Sequence, residues 1–197
     1  MEVFFYLNSM KFLEKNLEDI VFQTENKDLQ ERDLEIEGVK LRQTFIGNYG
    51  TSDIITFEKP RFITEEERKI NKTIPDRVTH TRPVITIYEL KKDEINKHTF
   101  LQAVRYLKGV DRFLTIRNVS MIGESFFDYR TDRTEQGIEF KIVLIGSNLA
   151  TDSSSYIPDF FNVDFYTYEY KFDGLYFNQE SGYRLMKEGF KLEDNED

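Results

Sequence analysis

Residues 130–148, RTDRTEQGIEFKIVLIGSN, contain the segment that decides the fold. One face of this segment is apolar throughout: Ile138, Phe140, Ile142 and Leu144. The opposite face begins with two charged residues and ends with two apolar ones: Glu139, Lys141, Val143 and Ile145. Such a pattern predicts a strand that enters a packed sheet from an exposed hairpin. The charged residues of 130–135 then belong to the hairpin tip, with Gln136 and Gly137 in the turn.

Further strand patterns lie on both sides of this segment. Apolar or alternating runs predict short strands at residues 3–7, 20–22, 34–41, 44–46, 54–57, 84–90, 113–117, 119–122 and 126–130. The run at 84–90 is apolar on both faces for most of its length, which is typical of a central strand. Residues 10–19 also fit a short helix, since Met10, Leu13 and Leu17 recur at helical spacing.

One flanking helix is predicted at about residues 97–109. Thr99 and Gln102 fit a capping box, and Gly109 is a natural C-terminal stop. The intervening apolar residues share one face: Phe100, Val104 and Leu107. The fold class is therefore mainly β (α+β).

Two less regular regions suggest a division of the chain. Residues 58–83 carry three of the four prolines and many charges, which predicts a long loop that is functional or solvated. Residues 156–177 contain ten aromatic residues, and Asp173-Gly174 signals a hairpin. We therefore expect a β-barrel domain over residues 1–150, and an aromatic-rich hairpin arm with an acidic tail over residues 151–197.

Composition limits the chemistry. The formal net charge of −9 argues against binding nucleic acid through clustered Lys and Arg. Cysteine is absent, which excludes disulfides, thiolate nucleophiles and Cys-ligated metals. The first apolar run, residues 3–7, is too short for a signal-peptide core or a membrane span, so we expect synthesis in the cytoplasm and no membrane association.

No catalytic, cofactor-binding or metal-ligating set is recognisable. His80 and His98 have no metal-ligand spacing, and no glycine-rich phosphate cradle or serine-hydrolase elbow is present. Glu65, Glu66 and Glu67 would fan around a helix, while Asp128, Asp132 and Glu135 lack the spacing of a calcium loop. We expect a protein without cofactors that is not an enzyme.

The order of elements over residues 51–147 resembles the barrel domain of phage tail and baseplate proteins of the distal-tail or tail-tube-like group. A polar segment ends in Arg82-Pro83-Val84-Ile85-Thr86, which opens the first long strand, and a helix, further strands and a charged hairpin follow. The resemblance implies a tail-tube-like β-barrel or two packed antiparallel sheets with one flanking helix. It leaves open a tail-tube, distal-tail, neck or baseplate-hub position.

The resemblance also implies assembly. The protein would be a virion structural component that forms a ring, commonly a hexamer, contacts neighbouring tail or baseplate proteins, and lets DNA pass through without specific binding. The expected oligomer-interface residues lie in the long loop, the charged hairpin and the aromatic arm: Phe62, Ile63, Ile74, Arg82, Arg130, Arg133, Tyr166, Tyr168 and Tyr170.

Two alternatives stay open. The acidity also fits a regulatory or inhibitor protein that binds a basic partner surface. A third hypothesis is an enzyme that uses carboxylates in a barrel mouth, and its sign would be a concave pocket with two buried carboxylates of shifted pKa.

Overall fold

The computed structural model describes residues 13–70, 72, 80–117, 138–150 and 162–180. Six strands form one sheet in the order β1-β2-β3-β5-β7-β8: β1 (Val39–Phe45), β2 (Thr51–Glu58), β3 (Val84–Leu90), β5 (Glu139–Gly146), β7 (Val163–Lys171) and β8 (Gly174–Gln179). Two short strands, β4 (Glu94–Ile95) and β6 (Asn148–Leu149), pair in parallel. The helices are α1 (Glu14–Gln23), α2 (Asn26–Gln30), α3 (Glu65–Ile70) and α4 (Lys97–Arg117), and a 3-10 turn covers Gly47–Tyr49.

Strand direction changes across the sheet. β1, β2 and β3 form an antiparallel meander, β3, β5 and β7 run parallel, and β8 returns antiparallel to β7. The parallel pair β3 and β5 needs a crossover, and α4 lies in the chain between them. Most of the residues of these two strands are buried, as the continuous apolar runs predict.

Helices contribute to the cover of both sheet faces. On one face α4 packs through apolar residues at helical spacing: Phe100, Ala103, Tyr106, Val110 and Leu114. On the other face Leu17 and Val21 of α1 and Leu29 of α2 pack against the sheet. The two clusters make a helix–sheet–helix sandwich.

The class prediction, mainly β with helices, is confirmed, but its architecture is not. The described strands neither close into a barrel nor form two packed antiparallel sheets. Six of them form one open mixed sheet with edges at β1 and β8, and β4 and β6 form a separate parallel pair. The reason is that apolar periodicity identifies strands but not their direction. No helix within the described residues is long and apolar enough to cross a membrane.

Helix α4 is longer than predicted, and residues 113–117 are helical, so the strand prediction there is wrong. Gly109 does not stop the helix. A Cβ at Gly109 would lie 2.6 Å from Cγ2 of Ile46 and 2.7 Å from Cγ of Tyr49, so glycine allows α4 to approach the 3-10 turn closely. Helix α1 likewise replaces the strand predicted at residues 20–22, because its buried residues recur at helical spacing.

Other expectations have mixed outcomes. The Asp173-Gly174 hairpin is confirmed, with φ of +149° at Gly174. The expected loop at 58–83 contains α3 and an antiparallel bridge between Phe62 and His80. β7 and β8 belong to the same sheet as β5, while the predicted division at residue 150 stays a prediction. The hairpin at 130–137, the strands predicted at 3–7, 119–122 and 126–130, and the C-terminal acidic tail lie outside the described residues.

Replacing Gly109 by Ala tests the close approach of α4. Alanine favours the helix by about 1 kcal/mol, but overpacking against Ile46 and Tyr49 costs about 1–3 kcal/mol. We expect a net loss of up to about 2 kcal/mol in the free energy of unfolding, measured by urea denaturation. Asp111→Ala, on the exposed face of the same helix, should change it by less than about 0.5 kcal/mol. A more stable Gly109→Ala protein would contradict this packing.

Candidate functional site

Two carboxylates meet where β2 begins and β3 ends. The antiparallel pairing of β2 with β3 ends at Ile54 and Tyr88, and Asp53 and Glu89 are the next residues along the two strands. The two acids are close enough for the charge of Asp53 to act on Glu89. Charges on α1 also act on Asp53.

A lysine completes this group two residues beyond Glu89. The Nζ of Lys91 lies 2.7 Å from Oε1 of Glu89, to which it donates a hydrogen bond, and 3.5 Å from Oε1 of Glu14 in the first turn of α1. We call Asp53, Glu89 and Lys91 the carboxylate–lysine site. Glu14 contributes a further negative charge at its exposed side.

The burial of Glu89 is the unusual feature of the site. Its side chain is 0% exposed, and its Oε2 has no hydrogen-bond partner among the described residues. Buried polar atoms are usually hydrogen-bonded, because an unpaired one costs free energy. Asp53 is half-buried, and its Oδ2 accepts a hydrogen bond of 2.8 Å from the backbone N–H of Leu90.

The electrostatics of the two acids reflect their burial above all. Burial, with a smaller effect of the Asp53 charge, raises the pKa of Glu89 to about 8, although Lys91 opposes the rise. Burial likewise raises the pKa of Asp53 to about 6, against the hydrogen bond from Leu90. Burial pushes the pKa of Lys91 down, but its acidic neighbours outweigh that effect and raise it.

The backbone of the site is held on rigid elements. The N–H of Lys91 donates to the carbonyl of Ile145 in β5 at 2.7 Å, and the hydroxyl of Tyr168 in β7 donates to the carbonyl of Lys92 at 2.5 Å. Groups fixed in this way keep the geometry that catalysis or ligand binding requires.

The donor set suits a hard cation. Within the described residues no group of three or more His, Cys, Asp or Glu is arranged to hold a metal ion. Mg²⁺, however, is commonly bound by one or two carboxylates, with waters and substrate phosphate completing its shell. Asp53 and Glu89 fit that pattern, and the unpartnered Oε2 of Glu89 supplies a ligand oxygen that no described group uses.

The predicted interface residues do not form part of this site. Phe62 and Tyr170 are exposed by 73% and 54%, Arg82 is exposed and Ile63 is half-buried. Tyr166 is buried in the core. Ile74, Arg130 and Arg133 lie outside the described residues. Tyr168 is half-buried and helps to hold the end of β3. The interface assignment stays a prediction.

The carboxylate–lysine site was not predicted. The signal was an acid followed two residues later by a lysine at the end of a strand that is otherwise apolar, Glu89 and Lys91 in VITIYELK. Its partner Asp53 is recognisable only once the register is known. The pair meets only part of the sign expected of a carboxylate enzyme: the pKa values of both acids are raised, but Asp53 is half-buried and the sheet is open.

Comparison of the chain with protein-family models, curated proteins and solved structures found no match. The functional interpretation therefore depends on the geometry of the site.

Stability measurements distinguish a ligand site from a structural ion pair. At pH about 9, above the pKa values of both acids, Asp53→Asn and Glu89→Gln each remove a poorly solvated negative charge, so we expect each to raise the free energy of unfolding by about 1 kcal/mol. Lys91→Met leaves the carboxylates unneutralised and should lower it by about 2 kcal/mol. If all three variants lose stability equally in urea denaturation, the group is a structural network.

Proposed function

We propose that this protein is a Mg²⁺-dependent phosphodiesterase that hydrolyses nucleic acid. The observation that carries the proposal is the carboxylate–lysine site, in which Glu89 is fully buried, its Oε2 has no hydrogen-bond partner among the described residues, and the charge of Asp53 acts on it from the neighbouring strand. Lys91 lies in direct contact with Glu89. A purely structural role would favour apolar residues at this position.

The carboxylates of Asp53 and Glu89 would hold the cation, which in phosphoryl chemistry polarises a phosphate oxygen and lowers the pKa of bound water. Hydrolysis requires a water oxygen to form a bond to phosphorus while the bond from phosphorus to a sugar oxygen breaks. The proton lost by the water passes through solvent to the leaving oxygen. One phosphate monoester and one hydroxyl result.

Lys91 has a role that its position supports. Its ammonium group is held by Glu89 and faces Glu14, and its side chain is 23% exposed, so it reaches from the buried carboxylate to the surface. A fixed positive charge there stabilises the negative charge that develops on the phosphate oxygens in the transition state. It also orients a water molecule by hydrogen bonding.

A polymer fits the site better than a small enclosed metabolite. The site lies at the ends of strands, and its rim is open at Lys91 and at Glu14, whose side chain is 46% exposed. Phosphodiesters of a nucleic acid chain can approach such a rim one at a time.

The activity test combines cleavage with metal binding. Plasmid DNA, single-stranded DNA and RNA are incubated with the purified protein in Mg²⁺, and products are resolved by electrophoresis. We expect cleavage of at least one substrate, a loss of about 100-fold or more in Asp53→Asn, Glu89→Gln and Lys91→Ala, and full activity in Glu94→Gln, an exposed control.

Metal binding gives the second readout. Mg²⁺ should raise the melting temperature of the wild-type protein and of Glu94→Gln, but not that of Asp53→Asn or Glu89→Gln. Cleavage that is equal in all variants would identify a contaminant and overturn the proposal, as would a melting temperature that does not respond to Mg²⁺.

A virion structural role is the second candidate. The observation that favours it is exposed apolar surface outside the core, with Phe62 at 73%, Ile70 at 80% and Phe172 at 109% exposure. The expected ring of six copies, its tail neighbours and its place in the virion are part of this candidate. Light scattering should give the mass of a multimer that falls in Phe62→Ser; a monomer at all concentrations would contradict it.

A further inference from the structure

Helix α4 carries positive charge in an acidic protein. Residues 97–117 contain five of the 27 basic residues of the chain and one of its 36 acidic residues. The net charge of −9 therefore conceals a helix whose own net charge is positive. Charge concentrated on one element acts on a ligand locally, whatever the total.

The positive charges share the solvent-facing side of α4. Its buried residues face the sheet, and four exposed basic residues, which we call the α4 strip, lie on the other side: Lys97, Arg105, Lys108 and Arg112. Their spacings of eight, three and four residues keep them on one helix face. At 1.5 Å per residue the strip is about 22 Å long.

Three members of the α4 strip have no carboxylate partner within the described part of the chain. Arg105, Lys108 and Arg112 form no ion pair with a carboxylate of the described residues. Arg105 lies 5.7 Å from the ring centroid of Tyr106, and Arg112 donates to the hydroxyl of Tyr49 at 3.3 Å. Like charges at these spacings destabilise a helix slightly, so the arrangement suits an anionic ligand better than it suits the fold.

The α4 strip passes close to the start of β2. Nη2 of Arg105 lies 3.1 Å from the position that a Cβ on Gly50 would take, and Gly50 precedes Asp53 by three residues. A chain of phosphates bound along the strip would therefore pass beside the start of β2.

We infer that the α4 strip binds the sugar–phosphate backbone of the nucleic acid that the carboxylate–lysine site would cleave. The inference rests on the proposed function for the identity of the anion. Phosphate contacts by Lys and Arg position a nucleic acid without reading its sequence. The negative charge of the rest of the chain disfavours other binding paths.

Equilibrium binding in EDTA tests the α4 strip without cleavage. Fluorescence anisotropy of a labelled DNA duplex is measured over a series of KCl concentrations for the wild-type protein, for Arg105→Ala/Lys108→Ala/Arg112→Ala, and for a control, Lys27→Ala/Lys59→Ala/Lys69→Ala, which removes three exposed lysines elsewhere. Circular dichroism confirms that each protein is folded.

We expect the strip variant to bind at least about tenfold more weakly, and the slope of log K against log salt to fall by about 2.7, since each duplex phosphate contact contributes about 0.9. A decrease closer to about 2 with a single-stranded oligonucleotide would identify single strands as the ligand. The control should keep the wild-type slope. An unchanged slope in the strip variant, or no binding by the wild-type protein, overturns the inference.

The two proposals fail separately. If the wild-type protein cleaves nucleic acid in Mg²⁺ but the strip variant keeps the wild-type salt slope, the phosphodiesterase proposal stands and the inference about the α4 strip fails. If the strip variant has a reduced salt slope but the wild-type protein cleaves no nucleic acid, the α4 strip stands as a nucleic-acid-binding surface and the phosphodiesterase proposal fails.

Discussion

The parallel pairing of β3 with β5 is the constraint on which the rest of the structure depends. Seven consecutive residues of β3, from Val84 to Leu90, pair with residues 139–145. A parallel pair cannot be closed by a tight turn, so the connection includes α4, which covers one face of the sheet, while α1 covers part of the other. The end of β3 is thereby fixed against β5, and Glu89 and Lys91 follow from that placement.

The same constraint makes the burial of the Glu89 carboxylate unfavourable in free energy. A carboxylate on a strand that is covered on both faces loses its hydration, and Lys91 compensates only one of the two Glu89 oxygens. Asp53 adds a second acid, whose charge acts on Glu89. Proteins tolerate such local conflict mainly where a ligand or a reaction uses it, and this is the physical reason for assigning function to this end of the sheet.

Sequence patterns predicted the elements better than their arrangement. The runs at 84–90 and 138–145 and the Asp173-Gly174 hairpin have strong local signals, and the structure confirms them. The helix end predicted at Gly109 was wrong. Glycine often ends a helix, but here it allows close contact with Ile46 and Tyr49, which are far away in sequence. The barrel expectation failed in a similar way, since nothing local encodes strand direction. Asp53 and Glu89 come together only through strand pairing, which no local pattern shows. The net charge of the whole chain is negative, so it gave no indication of the positive face of α4.

We propose that Asp53 and Glu89 bind one divalent cation together, and anomalous diffraction from crystals of the wild-type protein soaked in MnCl₂ tests this most directly. We expect a peak about 2.1 Å from carboxylate oxygens of both residues, with Lys91 beside it. A map without a peak there, in crystals that bind Mn²⁺ at another position, would show that the two acids do not form a cation site.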